Sequence, residues 1–263
     1  MEYRQFPAPP DLAPWVECLW ILRGAMASEG QTILPDGRME LVFHFGAPPA
    51  QQPGALIAGQ MTGALRLLPR GAMDTLGVRL RPEAGACLMP ASMLAGLVQP
   101  MDAVLGIWAS RAREEAGSGR DRVGVIVRHL RPLLDAAKEP DAAVATSVDR
   151  IERNHGRGAM DAFVPNGLQT RQWQRRFVAA TGLTPKAFAR IARLQRLVAL
   201  YQSGQWRRWA DLALESGFYD QAHLANDFRE FAGQSPDAFF REGRGMTEFY
   251  RDGFFQDLRP VNR

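Results

Sequence analysis

Arg171, Gln174 and Arg175 are the residues whose types and spacing offer specific chemistry. On a helix running from Gln169 to about Thr181, at 100° per residue, they gather on one side while Trp173 and Phe177 gather on the other. Arginine bonds bidentately to guanine and glutamine to adenine, and the major groove that exposes those edges is wide enough to admit a helix. The aromatic side would anchor such a helix in a core and the polar side would stay free to read bases. The surrounding charge suits a polyanion. No acid occurs between Asp161 and Asp211, whereas Arg171, Arg175, Arg176, Lys186, Arg190, Arg193, Arg196, Arg207 and Arg208 all do. Taken alone, that charge would equally describe a solvated helical surface.

Covalent and metal chemistry find little support. Cys18 and Cys87 lack CxxC spacing and have no neighbouring base in sequence to activate a thiolate. His44, His129, His155 and His223 are isolated, and neither a metal-ligand spacing nor a phosphate-loop pattern appears. The expectation is a protein that is not an enzyme, with no cofactor and no metal. With 263 residues and 46% hydrophobic content the chain has ample material for packed cores. Its net charge of +4 is unevenly divided, about −2 over residues 1–149 and +6 over 150–263. The absence of a signal-peptide pattern or a long apolar run leads to an expected cytoplasmic location and no membrane partner.

The elements that would position Arg171 and its neighbours come as a repeat. Phe177, Gly182, Thr184-Pro185 and Phe188 recur 51 residues later as Phe228, Gly233, Ser235-Pro236 and Phe239, with Trp173 and Leu224 extending the match. A fixed offset implies two copies of one supersecondary unit. Thr184-Pro185 is a cap followed by proline at the first helical position, and it begins a long connecting helix through Tyr201, with Ala187, Ile191, Leu194 and Val198 as its buried stripe. Lys186 and Arg190 open that helix, where phosphates are the expected contacts. The second copy runs through Trp209 to Ala213 and the turn Ser216-Gly217-Phe218 into a helix capped by Asp220. By the offset, Arg171, Gln174 and Arg175 correspond to Ala222, Ala225 and Asn226, a nearly uncharged face suited to methyl contacts and backbone anchoring. For His223, at the start of that helix, a phosphate contact competes with local packing or capping. Upstream, Val144, Val148 and Ile151 mark a helix ending near His155-Gly156, and a short helix spans about Ala159 to Val164.

The N-terminal part reads as strands and then helices. Val16 to Leu22, Met39 to Phe45 and Leu76 to Leu80 are short apolar runs separated by Pro and Gly clusters. Leu94, Leu97 and Val98, then Val104, Leu105 and Trp108, then Val123, Ile126, Val127, Leu130 and Leu134 fit helical periods, the last stripe covering the β-layer. Arg79 and Arg81 alternate with Val78 and Leu80 and so leave the apolar face, for a pocket or, more commonly, for water. His44, between Phe43 and Phe45, invites a ligand role, but a structural one is commoner. The reading divides the chain into a regulatory, sensor-like domain over 1–135, a linker over 136–143, a helical DNA-binding domain over 144–245 and an aromatic tail over 246–263.

At this point the residues carry a resemblance. Residues 144–242 resemble the DNA-binding domain of the AraC family of bacterial transcriptional regulators. The likeness rests on Arg171-Gln172-Trp173-Gln174-Arg175-Arg176-Phe177, on Thr181-Gly182-Leu183-Thr184-Pro185, and on Gly217-Phe218-Tyr219-Asp220-Gln221-Ala222-His223-Leu224 followed by Phe228, Gly233 and Ser235-Pro236. It implies two helix-turn-helix units joined by a long helix, with reading helices in successive major grooves. Thr170, Arg171, Gln174 and Arg175 would then serve the first unit and Gln221, Ala222, Ala225 and Asn226 the second. Three positions depart from the family pattern: Asn226 stands where Arg is usual, Gln169 where Ser or Thr caps the helix, and Pro165 interrupts the helix before it. Tyr3-Arg4, Leu12 to Trp20, Leu34-Pro35-Asp36-Gly37 and Gly77 to Pro82 resemble more loosely an N-terminal domain fused to such readers, without naming a ligand.

The expected fold class is α+β, a β-rich domain with capping helices followed by an all-α domain of two helix-turn-helix units. The expected function is sequence-specific regulation of transcription on double-stranded DNA, modulated through the N-terminal domain. A small-molecule effector, RNA polymerase and a second copy of the chain are further candidate partners. A small-molecule binder with a weak or vestigial DNA domain, and a constitutive architectural DNA protein, are the alternatives.

Overall fold

A computed structural model describes residues 2–25, 30–68, 70–89, 93, 95–96 and 98–241. In chain order the strands are β1 (Glu2–Pro7), β2 (Val16–Ala25), β3 (Gln31–Ile33), β4 (Met39–His44), β5 (Ala55–Ala58), β6 (Leu65–Leu67), β7 (Ala72–Leu80) and β8 (Val98–Pro100). Six of them form one antiparallel sheet in the order β1-β2-β7-β4-β5-β8, and β3 pairs with β6 as a separate ribbon. Alternation along β4 and β7 gives the sheet two unlike faces. Leu41, Phe43, Leu76, Val78 and Leu80 share a core with Ile126, Leu130 and Leu134. Glu40, Val42, His44, Thr75 and Arg79 face the other way and line a cavity, together with Ile33, Leu65 and Leu67 of the ribbon. At Gly77 the Trp20 ring lies so close that a Cβ would stand 2.1 Å from it, so the register pair Trp20↔Gly77 requires glycine.

The helices of this part are α1 (Gly85–Leu88), α2 (Met101–Leu105), α3 (Trp108–Ser118) and α4 (Arg122–Asp135). The helical reading around Val98 is corrected: Val98–Pro100 is an edge strand beside β5, and Leu94 and Leu97 lie outside the described residues. A valine followed shortly by Pro100 is better used on a sheet edge, where a missing N–H costs nothing. The helix stripe of α4 covers the sheet as expected. No helix among the described residues is long and apolar enough to cross a membrane.

Next come α5 (Ala142–Arg153), which begins inside the stretch expected as linker, a 3-10 turn (Met160–Phe163), α6 (Thr170–Thr181), α7 (Pro185–Ser203), α8 (Trp209–Ser216), α9 (Gln221–Ala232) and α10 (Pro236–Arg241). The Asp141 carboxylate caps α5 by accepting from the amides of Ala143 and Val144 at 3.0 and 3.2 Å. Gly182, Gly204, Gly217 and Gly233 all end their helices in the left-handed conformation, where glycine carries no Cβ penalty. Val144, Trp173, Phe177, Leu194, Leu224 and Phe228 belong to one buried cluster, so the two repeat units share a core. Leu34, from the sheet part, is buried in that same cluster. The aromatic tail beyond Arg241 lies outside the described residues.

Candidate nucleic-acid interface

The reading helix α6 is fixed from behind. Its Trp173 is fully buried and donates through Nε1 to Ser147 Oγ of α5 at 2.8 Å, while Phe177 meets the Phe188 ring of α7 edge-on at 5.7 Å. Ser147 in turn donates to the carbonyls of Ala143 and Phe163, so the indole N–H is satisfied in a dry site. With that side sealed, Thr170, Arg171, Gln174 and Arg175 all stand in solvent on the opposite face. Gln174, Arg175, Thr184 and Lys186 line one surface groove between α6 and the start of α7. The N-cap residue Gln169 accepts no amide through its side chain, leaving the first-turn N–H groups of α6 open to an anion.

The flank of α6 serves a different purpose. Arg176 donates from Nε and Nη2 to both carboxylate oxygens of Asp141, at 2.8 and 2.6 Å. The guanidinium, first through its hydrogen bond, pulls the Asp141 carboxyl below its usual range. The same helix also packs alongside α1 of the sheet part.

The second unit repeats the frame with other chemistry. Asp220 caps α9 by accepting from the His223 amide at 2.7 Å, and the Tyr219 amide donates to His223 Nδ1 at 3.3 Å. The His223 ring meets Phe218 edge-on at 5.4 Å, so packing and capping engage it locally. Gln221, Ala222 and Asn226 are exposed and Ala225 is half-buried. Arg229, exposed one turn beyond Asn226, reaches its side-chain oxygen at 3.5 Å. Arg229 escaped the sequence reading because its repeat partner is Val178, which carries no polar signal. Tyr219, in the turn before α9, is 85% exposed.

Arg190 corrects the expected phosphate set. Its guanidinium meets the Asp227 carboxylate at 3.1 Å and also pairs with Glu230, joining α7 to α9. Those two acids, remote in sequence, offset Arg190 within a stretch that contains no acid of its own. Arg193 turns inward to the Gly156 carbonyl at 2.7 Å, and Arg208 pairs with Asp211. Arg171, Arg175, Lys186 and Arg207 keep their charge at the surface.

Two helix-turn-helix units on a shared core, the first offering an uncovered arginine and glutamine face, define a DNA-binding module. The family described as "Helix-turn-helix domain" matches residues 166–242, and "Domain of unknown function (DUF6597)" matches residues 4–96. The chain therefore carries a helix-turn-helix domain in its C-terminal part. No curated protein matches it. Among solved structures, a probable AraC family transcriptional regulator from Rhodopseudomonas palustris is similar at 28% identity, over 40% of this chain and 99% of that one, with a TM-score of 0.35. ToxT from Vibrio cholerae is similar at 10% identity over 90% of this chain and 97% of its own, with a TM-score of 0.43. An unsaturated fatty acid bound form of ToxT gives 8%, 84%, 95% and 0.45 for the same quantities. The domain assignment rests on the family match.

Proposed function

We propose that the chain binds double-stranded DNA at specific sequences, with α6 and α9 entering successive major grooves. Thr170, Arg171, Gln174 and Arg175 supply most of the base readout, and Gln221, Ala222, Ala225 and Asn226 supply contacts of lower selectivity. Lys186 holds a phosphate. The observation that carries this reading is the uncovered Arg171, Gln174 and Arg175 face opposite the buried Trp173 and Phe177. The 19 residues of α7, spanning about 28 Å at 1.5 Å per residue, set the two units apart as a stiff spacer. The sheet part modulates binding, a reading supported by its direct contacts with α5, α6 and α7.

Replacing Arg175 with Ala should cost about 1–3 kcal/mol at the cognate site and relax selectivity there, as expected for a bidentate base contact. Fluorescence anisotropy on cognate and scrambled duplexes checks this, and equal affinity before and after would remove Arg175 from the reading set. Lys186→Ala should instead weaken all sequences alike and reduce the salt slope by about one.

The nearly uncharged face of α9 favours one second reading, a small-molecule binder whose DNA domain is weak. Selection from genomic fragments separates the two, since recovery of a single motif supports the regulator and random recovery supports the binder.

A further inference from the structure

Between the six-stranded sheet and the β3–β6 ribbon lies a cavity of about 110 Å³ that DNA binding does not use. Its enclosed part approaches the roughly 150 Å³ apolar cavity that accepts one benzene ring, and it is partly open to solvent, so the substituent of a ring need not fit inside. Trp20, Leu22, Leu56, Leu67 and Met73 form its apolar walls; Asp36, Glu40 and Arg79 form one polar patch, and His44 and Thr75, four residues along the same two strands, form a second. Both arginines that reach it are already matched. Arg79 lies 2.8 Å from Glu40 and 3.3 Å from Asp36, and Arg38 lies 2.6 Å from both Glu17 and Glu152. His44 is bonded at both ring nitrogens, to Thr75 at 2.9 Å and Gln52 at 3.1 Å, and its burial favours the neutral ring. An incoming anion would have to break an existing ion pair, whereas carboxylate oxygens have lone pairs to spare for a donor.

One wall of the cavity continues into the helical domain. Ile33, Asp36 and Arg38 face the cavity, while the residues between them face α5 and α7. Leu34 is buried in the helical core, and the Pro35 carbonyl accepts from Gln195 Nε2 of α7 at 2.5 Å. Gly37, at φ +75°, is covered by the Phe188 ring, which would stand 2.7 Å from a Cβ. Arg38 holds Glu17 of the sheet and Glu152 of α5 at once. Phe188 is also the ring against which Phe177 of the reading helix packs.

We propose that this cavity is the effector site, that it takes a small, largely apolar molecule bearing a hydrogen-bond donor and no negative charge, and that the Leu34–Arg38 segment passes its occupancy to α5 and α7. The proposal deepens the reading that the sheet part modulates DNA binding, and rests on it for the relay alone.

Benzylamine, benzyl alcohol and benzoate, which share a ring and differ in charge, are the probes. Calorimetry on the full chain should give saturable binding of the amine and the alcohol, with benzoate at least about tenfold weaker, the factor that one lost charge-assisted hydrogen bond of about 1.4 kcal/mol represents. Methyl NMR of labelled methionines locates the site without any variant: Met61 and Met73, which line the cavity, should shift, and Met39 and Met101 on the far face of the sheet should not. Benzoate binding as well as the amine, no saturable binding at millimolar probe, or shifts confined to other methionines would each overturn the site. For the relay, benzylamine should change the affinity for a selected duplex by about fivefold or more, the low end of ordinary coupling. Glu152→Gln should keep probe binding and reduce that change to less than about twofold. A wild-type protein that binds both probe and duplex without mutual effect would overturn the relay and leave the DNA reading intact. Failure to bind any duplex would sink the DNA reading and the relay together, and calorimetry would still decide the cavity.

Discussion

The two helix-turn-helix units keep one frame and exchange almost everything mounted on it. Trp173 and Leu224, Phe177 and Phe228, and Phe188 and Phe239 occupy matching buried positions, and Gly182 and Gly233 matching left-handed ends. Thr184 and Ser235 cap the following helices through equivalent hydroxyls, accepting from Ala187 and Ala238 at 3.1 and 3.3 Å. The reading faces differ: Arg171, Gln174 and Arg175 become Ala222, Ala225 and Asn226. So do the flanks. Arg176 pairs with Asp141 at the start of α5, and its repeat partner Asp227 pairs with Arg190 of α7, an ion pair with its polarity reversed. Packing tolerates few alternatives at fixed geometry, so the frame persists, whereas exposed positions carry a separate chemistry in each copy. The first unit is thereby closed on itself, α6 against the start of α5, and the second is fastened to the connecting helix.

The frame positions should give the largest effects. Trp173→Ala should destabilise the helical domain by about 3–5 kcal/mol, since it opens a large void and leaves Ser147 without its donor. Leu224→Ala at the matching position should cost about 2–5 kcal/mol. Because both residues sit in one cluster, urea unfolding followed by circular dichroism should show a single transition that moves as a whole in either variant. A second transition that moves alone would mean two separately folding units. For base readout the asymmetry should be plain: Asn226→Ala should cost well under the ~1–3 kcal/mol expected of a bidentate base contact such as that proposed for Arg175. An equal loss from the two substitutions in the same anisotropy assay would remove the distinction between the faces.

The frame was legible from sequence because a fixed offset and helical periods need no long-range information. Both capping residues expected there, Thr184 and Asp220, mark real helix starts, while Asp141, expected in the linker, also caps a helix. The sheet part was less so. β1, β3, β5 and β6 are strands of three to six residues whose alternation is too short to stand out. Arg79 could not be assigned to a pocket because its partners Asp36 and Glu40 lie some forty residues away, across a strand pairing that only the fold creates. Arg190 failed for the same reason. A stretch without acids looked like open positive charge until α9 folded back and brought Asp227 and Glu230 to it.

Capping offers an intermediate effect. Asp220→Ala removes the bond to the His223 amide and should lower stability by about 0.5–2 kcal/mol, whereas Gln169→Ala at the matching position removes no cap and should leave stability nearly unchanged. Thermal unfolding of the two variants side by side measures the difference. If Gln169→Ala costs as much as Asp220→Ala, the first unit has a stabilising contact at that turn which its geometry does not contain.

The reversed ion pairs should give the smallest effects and the finest test. Arg176 and Asp141 are both substantially solvated, so screening should hold the loss in Arg176→Gln to about 0–1 kcal/mol, shrinking further in salt. Arg190 and Asp227 are less exposed, and Arg190→Gln leaves Asp227 only the longer contacts to Arg193 at 4.0 Å and His223 at 3.8 Å, so it should cost more than Arg176→Gln at neutral pH. The pH dependence of the first pair follows from its sign. Arg176 holds the Asp141 carboxyl below its ordinary value of 3.8, so the stabilisation is present above that value and disappears as pH falls through the lowered folded-state value. Wild type and Arg176→Gln should therefore differ slightly at pH 7 and converge in strong acid. Divergence on acidification, or a larger loss from Arg176→Gln than from Arg190→Gln, would show that the α5–α6 pair and not the α7–α9 pair is the tighter clamp, and would invert the assignment of which unit is held more firmly.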